Sequence, residues 1–150
     1  MKKKDMIKNY TSTVPIERSI NHIESKLVTY GAKDIMKRYD SIGRLESICF
    51  IIFVSGNNVS FKLPAKIDAC CEILKSEIKR PRDGTYEKVE KQAERTAWKL
   101  VSDWVDIQIS MIELQQAEFM EVFLPYAYNT QNQQTFYEKI KESKFLALIK

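Results

Sequence analysis

Leu45-Glu-Ser-Ile-Cys-Phe-Ile-Ile-Phe-Val54 decides the fold. It is apolar nearly throughout, which predicts a central strand covered on both faces. Its unbroken apolar part, Ile48–Val54, is seven residues long, whereas a membrane span needs roughly 20. The run is therefore read as a buried strand of a soluble protein. Residues 33–39 alternate loosely before it, and Asp40-Ser-Ile-Gly43 supplies turn chemistry between the two. Ser55-Gly-Asn-Asn58 predicts a second turn. Val59, Phe61 and Leu63 then alternate with Ser60 and Lys62, a strand with one wet face ended by Pro64. The three segments predict an antiparallel meander.

Helices flank the meander on both sides in sequence. Ile16, Ile20, Ile23, Leu27 and Tyr30 form one apolar stripe behind Pro15, which suits a first helical turn, and Gly31 is placed to end the helix. After the meander, Ile67, Cys70, Cys71, Leu74 and Ile78 predict an amphipathic helix over 65–79, broken by Arg80-Pro-Arg-Asp-Gly84. No Gly or Pro interrupts Thr85 to Gln116, which predicts one long helix. Its second half, from Leu100 to Leu114, is apolar in nearly every direction and so expected to be buried on more than one side. That predicts a homo-oligomer built partly on residues 100–124. Residues 117–124 should add a short helical segment stopped by Pro125. After the polar loop 129–134, Thr135 and Glu138 have the spacing of a capping box. Phe145, Leu146, Leu148 and Ile149 read as a docking segment.

The chain of 150 residues, with only 4 Gly and 4 Pro, fits a single α+β domain over 13–150 with a self-sufficient core. Residues 1–12 are polar, basic and expected to be mobile. Lys2, Lys3 and Lys4 are not followed by an apolar stretch, so no secretory signal is read. Three cysteines, two of them adjacent (Cys70 and Cys71), disfavour a disulfide framework and suit a reducing cytoplasm.

Chemistry-bearing motifs are scarce. Phosphate-binding glycine loops are missing, and His22 is the single histidine, without Cys or His at ligand spacing. Neither a catalytic device nor a cofactor or metal site is expected. The weak exception is a metal-dependent enzyme using Asp103, Asp106 and Glu113. Charge is more informative. Residues 1–99 hold 20 basic and 13 acidic side chains, whereas residues 100–138 hold six acids and no Lys or Arg. A polyanion should therefore meet the first two thirds of the chain. Arg38, Arg44, Arg80, Arg82 and Arg95 would supply the charge, with Tyr86 or Trp98 as a stacking platform.

Arg95-Thr-Ala-Trp98, Asp103-Trp104-Val105 with Gln108, and Glu121-Val-Phe-Leu-Pro-Tyr126 resemble a group of small proteins encoded by phages and prophages. Phe61-Lys-Leu-Pro-Ala65 and Val14-Pro-Ile-Glu-Arg18 share the resemblance, which spans roughly residues 13–145. It implies a viral or mobile-element gene acting in a bacterial cytoplasm, in DNA metabolism or against host defences, and it implies no mechanism. The expected function is a non-catalytic binder of an anionic ligand, either a nucleic-acid strand or a host nucleotide signal. The alternative is an inhibitor of a host defence protein, acting through the acidic stretch 100–138 or an exposed sheet edge.

Overall fold

The structure, a computed structural model, describes residues 6–149. Residues 1–5, part of the basic arm expected at 1–12, and residue 150 lie outside the described residues. The described chain forms two compact units, each assembled from two separate stretches. The first comprises residues 6–25 with Ala65–Asp106, and the second Lys26–Pro64 with residues 107–149. Two helices begin in one unit and end in the other, so no linker or change of composition marks the division.

Helix α1 spans Ile16–Tyr30. The Pro15 carbonyl accepts from the Arg18 and Ser19 amides at its start. At its end Gly31 adopts φ 130°, and the Gly31 and Ala32 amides both return to the Leu27 carbonyl, at 3.0 and 2.9 Å. That left-handed turn favours glycine, which lacks a Cβ. Ile20, Ile23 and Leu27 of the stripe are buried.

The meander follows as β1 (Asp34–Tyr39), β2 (Leu45–Val54) and β3 (Asn57–Pro64), paired antiparallel in the order β1-β2-β3. Asp40 shapes the first turn. Its carboxylate accepts from the Ile42 amide (3.0 Å), the Arg44 amide (2.9 Å) and the Arg44 Nε (2.8 Å). The second turn is tighter than the sequence suggested. Val54 pairs with Asn57, leaving only Ser55 (φ 49°) and Gly56 (φ 84°) in the loop. Two left-handed residues match the right-handed twist of a hairpin, so β3 starts two positions early.

Central strand β2 is buried on both faces. On one, Phe50 pairs with Phe61 of β3, and their rings stack at 5.3 Å. Helix α4 (Phe119–Phe123) closes over them. Phe119 meets Phe61 edge-on at 5.2 Å and stacks on Phe123 at 4.4 Å, while Tyr30 stacks on Phe119 at 5.1 Å. These rings form the core of the second unit.

Helix α2 (Ile67–Ser76) is shorter than the span 65–79, and α3 runs Thr85–Glu113. In α3 the buried positions are Ala93, Thr96, Ala97, Trp98, Ser102, Val105 and Ile109. Ile107 and Leu114 are exposed, so the apolar second half is only partly covered. Among the described residues no helix is long and apolar enough to cross a membrane.

Two short strands escaped sequence reading. Tyr128–Asn129 (β4) pairs with Gln134–Thr135 (β5), and Ala127 bridges to Phe61 at the outer edge of β3. Helix α5 (Phe136–Glu142) starts from the capping box as expected, with Thr135 Oγ1 accepting from the Glu138 amide at 3.2 Å. Of the expected docking segment, Phe145 meets the Tyr137 ring at 6.3 Å, while Leu146, Leu148 and Ile149 remain exposed. Successive left-handed residues, Lys144 and Phe145 (φ 54° and 59°), turn the chain away after α5.

Phe61 is fully buried at the centre of the aromatic cluster. Phe61→Ala should lower unfolding free energy by about 3–5 kcal/mol in urea denaturation. A loss under about 1 kcal/mol would show that these rings are not the core.

Candidate functional site

The seven residues expected to bind an anion divide between the units. Arg80, Arg82, Tyr86, Arg95 and Trp98 lie in the first, Arg38 and Arg44 in the second.

In the first unit, one face of α3 holds the chain segment 9–12. Thr96 Oγ1 donates to the Asn9 carbonyl (2.9 Å), while Gln92 Nε2 (3.0 Å) and Arg95 Nε (3.3 Å) donate to the Ser12 carbonyl. Arg95 also donates to Gln92 Oε1 at 2.6 Å. Its guanidinium therefore works as a clamp on the protein's own backbone. Trp98 requires a correction, because its indole is 0 % exposed and cannot offer a base a stacking surface. The position follows from spacing: Trp98 is one residue beyond the Ala93–Ala97 seam and shares its buried side.

Tyr86 is 45 % exposed, but the Lys75 ammonium sits over its ring at 5.2 Å and bonds Glu90 at 2.8 Å. The hydrogen bond that Lys75 donates to Glu90 holds the Lys75 pKa above its ordinary value. Arg80 and Arg82 are exposed on the α2–α3 loop. Two of the three acids of the enzyme alternative, Asp103 and Asp106, are also engaged. Asp103 accepts from Asn9 Nδ2 and Lys99 Nζ, both at 2.8 Å, with Lys8 at 3.8 Å. Asp106 meets His22 Nε2 at 2.6 Å. Among the described residues no group of three His, Cys, Asp or Glu gathers to hold a metal.

The second unit brings together a different set. Arg44 is held by Asp40 at 2.8 Å within the β1–β2 turn. Desolvation raises the Asp40 pKa, but hydrogen bonds from Arg44 and Ile42 and the Arg44 charge outweigh it and hold the carboxyl low. Arg38 is placed otherwise. Strand pairing sets it opposite Ser47, and sets Lys62 opposite Cys49. Side chains two apart on a strand share a face, so Arg38, Ser47, Cys49 and Lys62 project from the same side of the sheet, away from the phenylalanine cluster. There the Arg38 guanidinium lies 5.3 Å and the Lys62 ammonium 5.5 Å from the Tyr128 ring centre. Neither cation has a carboxylate within 4.0 Å among the described residues.

Beneath these charges the polar groups are short of partners. Ser47 is 0 % and Tyr128 7 % exposed; the Tyr128 hydroxyl has no hydrogen-bond partner, and the Ser47 hydroxyl has at most the weak acceptor of the neighbouring Cys49 thiol. Burial pushes the Cys49 thiol up, against the opposing pull of Arg38, Lys62 and Ser47, so it stays protonated. Beside the cluster an open depression of about 590 Å³ is lined by Ser60, Tyr128, Asn129, Asn132, Phe136 and Lys139 among others. Its loop is stiffened by the Asn129 carbonyl oxygen Oδ1 accepting from the Gln131 amide at 2.9 Å and by Asn132 Oδ1 accepting from Gln134 at 3.1 Å.

Sequence reasoning missed Lys62, Ser47 and Tyr128. Lys62 was legible as the wet-face residue of β3, but its meeting with Arg38 depends on register. Tyr128 carries no local signal, since its strand is two residues long. Comparison with family models, curated proteins and solved structures returns no match.

The engagement of Asp103 gives a pH signature. Desolvation raises its pKa, yet hydrogen bonds from Lys99 and Asn9 and the charges of Lys99 and Lys8 hold it below the ordinary 3.8. A carboxyl depressed on folding stabilises the protein above its unfolded pKa, and this contribution is lost as pH falls through the folded value. The stability gap between wild type and Asp103→Asn should be full at neutral pH and shrink below about pH 4 in chemical denaturation series. A gap that widened in acid would contradict the assignment.

Proposed function

We propose that the protein is a non-catalytic binder of a phosphorylated small molecule of nucleotide class, held on the outer sheet face of the second unit. The observation that carries this reading is the convergence of Arg38 and Lys62 on Tyr128 without an acidic counter-charge. Two cations without a carboxylate partner, brought against one ring, favour an anion.

The adjoining depression supports a nucleotide over a strand. Its volume of about 590 Å³ falls within the range that holds small ligands, roughly 300–1,000 Å³. Phe136, 41 % exposed, offers a ring on which a base stacks. The side-chain oxygens of Asn129 and Asn132 are engaged by the loop's own amides, which leaves their NH2 groups as donors to base edges, and Lys139 adds positive charge. With the resemblance to small phage-encoded proteins, the reading extends to sequestration of a host nucleotide signal. A second reading, inhibition of a host protein, draws on β1, whose outer edge is unpaired and which carries exposed Met36 and Tyr39, with exposed Ile42 in the following turn.

Thermal denaturation and calorimetry across mono-, di- and cyclic nucleotides test the proposal. A cognate ligand at 100 times its Kd should stabilise the fold by about 2.7 kcal/mol. Arg38→Ala with Lys62→Ala should abolish that effect. Equal affinity in this double variant would overturn the reading. Capture of a host protein that survives nuclease treatment and depends on the β1 edge would favour the second.

A further inference from the structure

The hydroxyl of Tyr128 is buried and unpartnered and that of Ser47 meets only the weak acceptor of the Cys49 thiol, although buried polar groups in folded proteins are nearly always satisfied. They lie on the face that carries Arg38 and Lys62. Every polar group gathered here can donate: guanidinium, ammonium, two hydroxyls and a thiol. The cluster includes no carboxylate. A buried water would satisfy the hydroxyls but leave both cations uncompensated. A carboxylate has two oxygens in one plane, too few directions for donors arriving from three strands and the β4 segment. A phosphomonoester brings three terminal oxygens and a double negative charge.

We propose that Ser47, Tyr128, Arg38 and Lys62 form a subsite for a tetrahedral oxyanion, the terminal phosphate of the ligand. This rests on the reading of the same face as an anion site, and it adds the two hydroxyls as donors and the phosphomonoester as the group selected. In the free protein the Tyr128 ring lies against the two cations. β4 is two residues long and pairs only with β5, apart from the Ala127–Phe61 bridge next to it. A phosphate seated here exchanges the two cation–ring contacts for direct charge pairing with Arg38 and Lys62 while the Ser47 and Tyr128 hydroxyls donate to its oxygens.

Calorimetry with inorganic phosphate and with acetate, on wild type, Ser47→Ala and Tyr128→Phe, tests the subsite. Wild type should bind phosphate and discriminate against acetate. Each variant should bind phosphate about 10- to 100-fold more weakly, the range of one hydrogen bond to a charged group. Without phosphate, neither variant should melt below wild type, because each removes only a hydroxyl without a strong partner. Unchanged phosphate affinity in both variants, or acetate binding as tight as phosphate, would overturn the proposal. If Arg38→Ala with Lys62→Ala abolishes nucleotide binding while both hydroxyl variants keep it, the subsite fails and the anion site stands. If that double variant retains nucleotide binding, both fail.

Discussion

A ten-residue strand buried on both faces has to be covered twice, and the second unit is organised by that demand. One face of β2 is met by aromatic rings from β3, α4 and the end of α1, which pack by area and shape alone. The other face is built differently. It presents Ser47 and Cys49 under Arg38, Lys62 and Tyr128, a polar layer with cations on top. Each unpartnered buried hydroxyl costs about 1–3 kcal/mol. The aromatic packing on the opposite face offsets such a cost.

The fate of the positive charges separates structural from available ones. Arg44 is spent on shaping a turn through Asp40, Lys75 on Glu90, Lys99 on Asp103, and Arg95 on the Ser12 carbonyl. These pairs fix local geometry and leave little field for a ligand. Arg38 and Lys62 face an aromatic ring instead, an interaction of about 0.5–2 kcal/mol. Charge segregation along the sequence narrows the choice to the first two thirds of the chain and does not separate paired cations from unpaired ones. What matters is which cations meet a carboxylate and which do not.

The meander, both major helices and the Thr135–Glu138 cap were legible because each rests on local periodicity or turn chemistry. Pro15 and Gly31 bracket α1, and Asp40 and Gly56 sit in turns that demand them. The site was legible only in part. Arg38 was visible as a loop-proximal cation, whereas Lys62 and Tyr128 join it through strand register and a bridge spanning 66 residues, from Phe61 to Ala127. Trp98 misled because an arginine three residues before an indole looks like a platform, while helical geometry sends the two to different surroundings. Lys144 and Phe145 show the same limit: nothing in their identity announces left-handed backbone.

Amide chemical shifts followed by NMR during addition of a purine nucleoside monophosphate test the central claim most directly. The account predicts changes concentrated at Arg38, Ser47, Lys62, Tyr128 and Phe136. Changes centred on Arg80, Arg82 and Tyr86, with the sheet face silent, would contradict it.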